Sequence, residues 1–104
     1  MRRLPGVLVV EDEPAIAELI SVNLRHNGFR PVWAMDSATA QAELDAVLPD
    51  VILLDAMMPG LDGIEFIEQL RGMPDKVNLP ILMITANDQK QIRYRALDVG
   101  ATDF

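Results

Sequence analysis

The chain has no cysteine and a single histidine. The first absence excludes disulfides, thiol catalysis and thiolate metal sites. The second excludes a zinc centre built on several imidazoles. Basic residues are scarce, nine against sixteen acidic ones, giving a net charge of −7. A domain of that sign lacks the clustered Lys and Arg that phosphate backbones require, so it is not expected to bind nucleic acid directly. Long apolar runs are missing too. Met1-Arg2-Arg3 followed by Leu4 to Val10 has the outline of a leader. The run is short, is interrupted by Pro5-Gly6, and ends in Glu11-Asp12-Glu13 without a small-residue cleavage site. No segment reaches the length of a membrane span. A cytoplasmic protein with no membrane partner is expected.

What is present suits one domain over residues 1–104, since half of the residues are hydrophobic and nothing is repetitive. Val51-Ile52-Leu53-Leu54 reads as a strand buried on both faces. It stops at Asp55, and Pro59-Gly60 then forces a loop, so Asp55 is expected just past the carboxyl end of a central strand. In open α/β sheets, ligands bind at that end.

Val7–Val10 forms a similar strand, followed by three acids. Pro14 suits the first turn of a helix that runs to about Asn27, with Ile16, Leu19, Ile20 and Leu24 at helical spacing and Gly28 as the stop. Pro31–Ala34 is a second strand, with Trp33 expected to pack around it. Asp36 or Ser37 caps a second helix that continues to about Leu48, with Ala40, Leu44, Val47 and Leu48 on one side. After the central strand, Asp62 caps a third helix whose Ile64, Ile67 and Leu70 face inward. Gly72 to Pro80 reads as a loose polar connection. Ile81–Ile84 is a fourth strand ending at Thr85-Ala86, and Asn87 or Asp88 opens a fourth helix with Ile92, Ala96, Leu97 and Val99 before Gly100.

Strand and helix alternate four times, which predicts a parallel sheet with helices on both faces. Acids follow the first and third strands and a hydroxyl follows the fourth. Because parallel strands point the same way, these groups converge on one edge. Carboxylates gathered there repel one another unless a cation neutralises them. Mg²⁺ suits oxygen ligands and keeps room for water and phosphate oxygens. An aspartate beside such an ion can act as a nucleophile towards phosphorus. Thr85 could donate a hydrogen bond to a phosphoryl oxygen, and Ala86 leaves room for the group. The alternative is that the acids merely cap the first and third helices. His26 near the end of the first helix is favourable as a polar or positive residue there.

Glu11-Asp12-Glu13, Leu53-Leu54-Asp55-x-Met57-Met58-Pro59-Gly60 with Asp62-Gly63, Thr85-Ala86 and Gly100-Ala101-Thr102-Asp103-Phe104 together resemble the receiver domain of two-component response regulators, most closely the OmpR/PhoB-type branch. The resemblance covers the whole chain in the family's order. It implies a flavodoxin-like, doubly wound parallel sheet with strand order 2-1-3-4-5. Asp55 is then the phosphoacceptor from a sensor histidine kinase, and Asp12 a direct Mg²⁺ ligand with Glu11 acting mainly through water. The backbone carbonyl of Met57 completes the protein's share of the shell. Thr85 becomes the switch hydroxyl, Phe104 the aromatic residue that follows it, and Met57 and Asn87 positions that tune dephosphorylation. The helix 4 face carrying Arg93, Tyr94 and Arg95 is a solvated surface that in this branch helps build a homodimer. The family's fifth strand, with a lysine three positions after the aromatic residue, and its fifth helix come after Phe104. An incomplete receiver that leaves the fourth strand as an exposed edge is therefore expected.

The resemblance further implies a switch, not an enzyme, with transcription regulation through a DNA-binding domain beyond these residues. Two rivals differ in class. A stand-alone receiver would signal by binding proteins. A Mg²⁺-dependent phosphohydrolase would need a second aspartate two residues after the nucleophile, where this sequence has Met57.

Overall fold

The computed structural model describes residues 4–55, Met58 and 63–84. Four parallel strands form one sheet: β1 (Gly6–Val10), β2 (Arg30–Ala34), β3 (Val51–Asp55) and β4 (Ile81–Ile84). The order is β2-β1-β3-β4, with each crossover made by a helix: α1 (Pro14–His26), α2 (Ser37–Ala46) and α3 (Gly63–Arg71). The register runs Val10↔Ala34 and Val10↔Leu54, and Asp55↔Ile84. Asp55 is thus the last residue of β3 and not the first after it, held by pairing with β4.

Side chains alternate across a strand. Leu8, Val10, Ile52, Leu54, Ile81 and Met83 join Ala40 and Leu44 of α2 and Ile64, Phe66, Ile67 and Leu70 of α3 in one core. The opposite face is covered by α1, which packs on β1 and β2. The expectation that the central strand is buried on both faces is corrected. β1 is buried along its whole length, whereas in β3 only Ile52 and Leu54 are buried, and Val51 and Leu53 are half-buried.

Along α1 the apolar residues at helical spacing are unequally buried, with Ile20 and Leu24 half-buried. Ala17 and Ser21 are its buried residues, while Ile16 is 46% and Leu19 64% exposed. A helix that leans on two strands buries the narrow stripe below it. The rest of its apolar surface lies on the flank facing away. Its end is as the sequence predicts. Gly28 adopts φ 84, and its N–H and that of Phe29 donate back to the Arg25 and Leu24 carbonyls at 3.2 and 3.0 Å. That pairing of the last carbonyls needs a left-handed residue, which glycine supplies without a Cβ penalty. His26 closes this last turn.

α2 starts where Asp36 accepts from the Thr39 N–H at 2.7 Å. It stops at Ala46, earlier than expected, because Val47 turns to extended backbone ahead of Pro49. Val47 and Leu48 are accordingly exposed and not on the inner side. The 72–80 connection is not loose. Met73 packs against the core, Lys76 and Leu79 are buried, and successive backbone bonds (Met73 N–H to Leu70, Lys76 N–H to Met73, Leu79 N–H to Lys76) tie it together. Asp62 and the fourth helix lie outside the described residues. Among those described, no helix is long and apolar enough to cross a membrane.

Candidate functional site

The acids separated by more than forty positions in the sequence meet at the carboxyl edge of the sheet. β1 and β3 are adjacent and in register, so the residues after Val10 and the end of β3 face the same rim. Glu11, Asp12 and Asp55 each offer a carboxylate oxygen, and these atoms all lie within 4.8 Å of one another. Glu11 is only 4% exposed; Asp12 and Asp55 are half-buried.

Capping of α1 does not account for Glu11 and Asp12. The N-cap of α1 is Glu13, which makes no side-chain cap hydrogen bond. Glu11 instead turns its carboxylate back on its neighbour, accepting from the Asp12 N–H at 2.9 Å. Its backbone is held from β2. The Glu11 N–H donates to the Ala34 carbonyl at 3.0 Å, and the Trp33 indole N–H donates to the Glu11 carbonyl at 2.6 Å.

Burial, followed by the hydrogen bond and repulsion from Asp55, pushes the Glu11 carboxyl up to about 7. Three acids at one rim therefore cannot all be charged at neutral pH without cost. A crowded set of oxygen-only donors fits a hard divalent cation.

Of the other residues singled out in the sequence, Thr85, Ala86, Asn87, Phe104, Met57 and Arg93 lie outside the described residues. Lys76 lies before β4 and so at the other end of the strands. It pairs with Asp45 at 3.7 Å and Asp75 at 3.5 Å. Trp33 differs from expectation. It is 41% exposed and its polar atom is committed to the acidic loop. The signal available in the sequence was its position one residue from the end of a strand neighbouring the one that leads into the acids.

A parallel α/β sheet with three carboxylates gathered on its carboxyl rim defines the class. Residues 7–104 match the response regulator receiver domain, and the chain belongs to that family. It is 43% identical over 98 residues to the phosphate regulon transcriptional regulatory protein PhoB of Escherichia coli, covering 94% of this chain and 43% of that protein. It is 37% identical over 101 residues to the DNA-binding dual master transcriptional regulator RpaA of Synechocystis, covering 97% of this chain and 42% of that one. The chain thus spans less than half the length of these relatives.

Among solved structures, a response regulator from Chloroflexus aurantiacus superposes with a TM-score of 0.91 at 30% identity, covering 97% of this chain and 83% of that one. The chemotaxis protein CheY4 of Vibrio cholerae gives 0.90 at 31%, covering 97% and 84%. The observed strand order agrees with this fold.

Proposed function

We propose that this receiver domain is a phosphorylation-controlled switch in which Asp55 accepts a phosphoryl group from a sensor histidine kinase. The observation that carries the reading is the meeting of Glu11, Asp12 and Asp55 within 4.8 Å at the rim of the sheet. Asp12, Asp55 and the backbone carbonyl of Met57 would hold Mg²⁺ directly, with Glu11 acting mainly through water. The ion supplies charge neutralisation for the acids and for the transferring phosphoryl group. Asp55, half-buried at the end of a paired strand, would offer one carboxylate oxygen to the phosphoryl group. That oxygen forms the new P–O bond as the P–N bond to the donor imidazole breaks, and the imidazole leaves with a proton taken from solvent. Glu11 sets the charge of the pocket, since its proton must leave before a cation is bound.

The output follows from a two-state element biased by the new charge. Thr85 is the switch hydroxyl, with Ala86 and Asn87 beside it in sequence and Phe104 following its movement. Arg93 contributes to a homodimer through the helix 4 face. The domain is not an enzyme, acts in the cytoplasm, and controls a DNA-binding domain elsewhere in the intact regulator. Likeness to transcriptional regulators at up to 43% identity, against 31% for the chemotaxis protein, supports transcription over the stand-alone reading.

Incubation with acetyl phosphate and Mg²⁺, followed by intact-mass measurement, tests this. One base-labile phosphoryl group per chain is expected, absent in Asp55→Asn. Labelling that survives in Asp55→Asn, or steady turnover of a phosphate ester, overturns the assignment.

A further inference from the structure

Glu11 and Asp12 stand on the turn after β1 and face Asp55 at the end of β3, and a turn crowded with like charge relaxes outward unless something holds it. β2 supplies the hold at two points. The Ala34 carbonyl takes the Glu11 N–H at 3.0 Å, and the Trp33 indole N–H is donated to the Glu11 carbonyl at 2.6 Å. The first bond continues the ladder between neighbouring strands, which any residue at position 34 provides. The second depends on one side chain. Trp33 is 41% exposed, so its placement is not explained by core burial. Its ring lines an open groove of ≈ 470 Å³ between α1 and β2, with Pro14, Ala17 and Arg25 among the neighbours. A large aromatic residue left half in solvent, with its only polar atom spent on the carbonyl of an acid in the cluster, is placed for that bond.

We propose that Trp33 is a positioning residue for the divalent cation: its indole N–H, donated to the Glu11 carbonyl, holds the turn after β1 so that Glu11 and Asp12 stay close to Asp55. The inference rests on the reading of those three acids as the Mg²⁺ site. Bond and ion act on the same turn. Loss of the indole donor lets the acids separate in the ion-free protein, and the cation must then gather them again. Preorganisation is removed and affinity falls.

The sole tryptophan makes the test clean. Mg²⁺ binding to the full chain is measured by titration calorimetry, alongside Trp33→Phe, which keeps most of the ring and loses the donor, and Asp12→Asn. Removal of one neutral hydrogen bond predicts a dissociation constant about two- to tenfold weaker in Trp33→Phe. A parallel readout needs no variant at position 33. In ¹H–¹⁵N spectra the single indole N–H resonance should shift on Mg²⁺ addition with the same midpoint as the Asp12 amide, and should not respond in Asp12→Asn.

An unchanged Mg²⁺ affinity in a folded Trp33→Phe, or an indole resonance that stays still while the Asp12 amide moves, overturns the positioning role and leaves the metal site standing. Absence of Mg²⁺ binding in the unsubstituted chain, or binding unaltered in Asp12→Asn, overturns the site and the inference together.

Discussion

The two ends of the sheet treat charge in opposite ways. At the amino ends of the strands, every described charge named here has an internal partner. Asp50 accepts the Gly6 N–H at 2.6 Å, joining the start of β1 to the approach to β3. Lys76, buried in the connection into β4, lies 3.7 Å from Asp45 at the end of α2 and 3.5 Å from Asp75, while its carbonyl accepts from Arg71 at 3.0 Å. At the carboxyl ends, Glu11, Asp12 and Asp55 crowd with like charge, and Glu11 is driven towards holding its proton. One edge satisfies its polar groups from within and serves the fold. The other leaves an electrostatic demand at a cost in stability, which on the proposed function an external cation would meet.

The most complete break in this comparison is Asp55→Asn. Phosphoryl uptake from a small-molecule donor should fall to background by intact mass. The same substitution should raise the melting temperature of the metal-free protein above pH 7, because it removes the charge that opposes Glu11. A fall in melting temperature there would mean that Asp55 is held by favourable contacts and not by a repulsive cluster.

At the other edge, Lys76→Ala should cost about 1–3 kcal/mol in urea unfolding, through lost packing of a buried stem and lost pairing. Lys76→Met, which keeps most of the stem, should cost less, since Asp45 and Asp75 are themselves well exposed and remain solvated. Neither should change the Mg²⁺ affinity. If either does, the two edges are coupled.

The pH dependence sharpens the contrast further. The folded Glu11 carboxyl sits at about 7 against an ordinary 4.5. Between those values the folded chain keeps a proton that the unfolded chain has lost, so folding stability falls as pH rises through this window and levels off above it. The drop is on the order of a few kcal/mol at most. Thermal melts from pH 5 to 8 without metal should show it, and saturating Mg²⁺ should raise the melting temperature more at pH 8 than at pH 5. A metal-free protein that gains stability over this range contradicts the crowding.

The smallest effect belongs to an acid on the carboxyl side of the sheet but outside the cluster. Asp36 is held below its ordinary value by the Thr39 N–H it caps. Asp36→Ala should lower the melting temperature slightly at pH 7, and the difference should vanish as acid titrates the cap. The shift should be the same with and without Mg²⁺.

The sequence carried the site further than it carried the packing. The strands were legible because short apolar runs end abruptly at acids or turn residues, and Asp55 was found because β3 stops at it. The strand order did not follow from periodicity, which says nothing about which strands are neighbours; it came with the resemblance and agrees with the observed β2-β1-β3-β4. In α1 a wide apolar stripe does not say which part leans on the sheet. Ala17 and Ser21 do, and the larger Ile16 and Leu19 do not. The packing of the 72–80 segment is hidden for a related reason. Its polar composition hides one lysine whose stem is buried and whose charge finds carboxylates.

By itself, the order of residues determined that acids stand at the ends of parallel strands and that no thiol or polyhistidine chemistry is available, because both follow from residue type and local spacing. Only the tertiary structure decided that the acids of two strands come within 4.8 Å, that the burial of Glu11 turns their proximity into a charge problem, and that Trp33 reaches across from β2 to grip the turn. Distances between strands, exclusion of water and a side chain's choice of partner arise when the sheet assembles, and no local pattern encodes them.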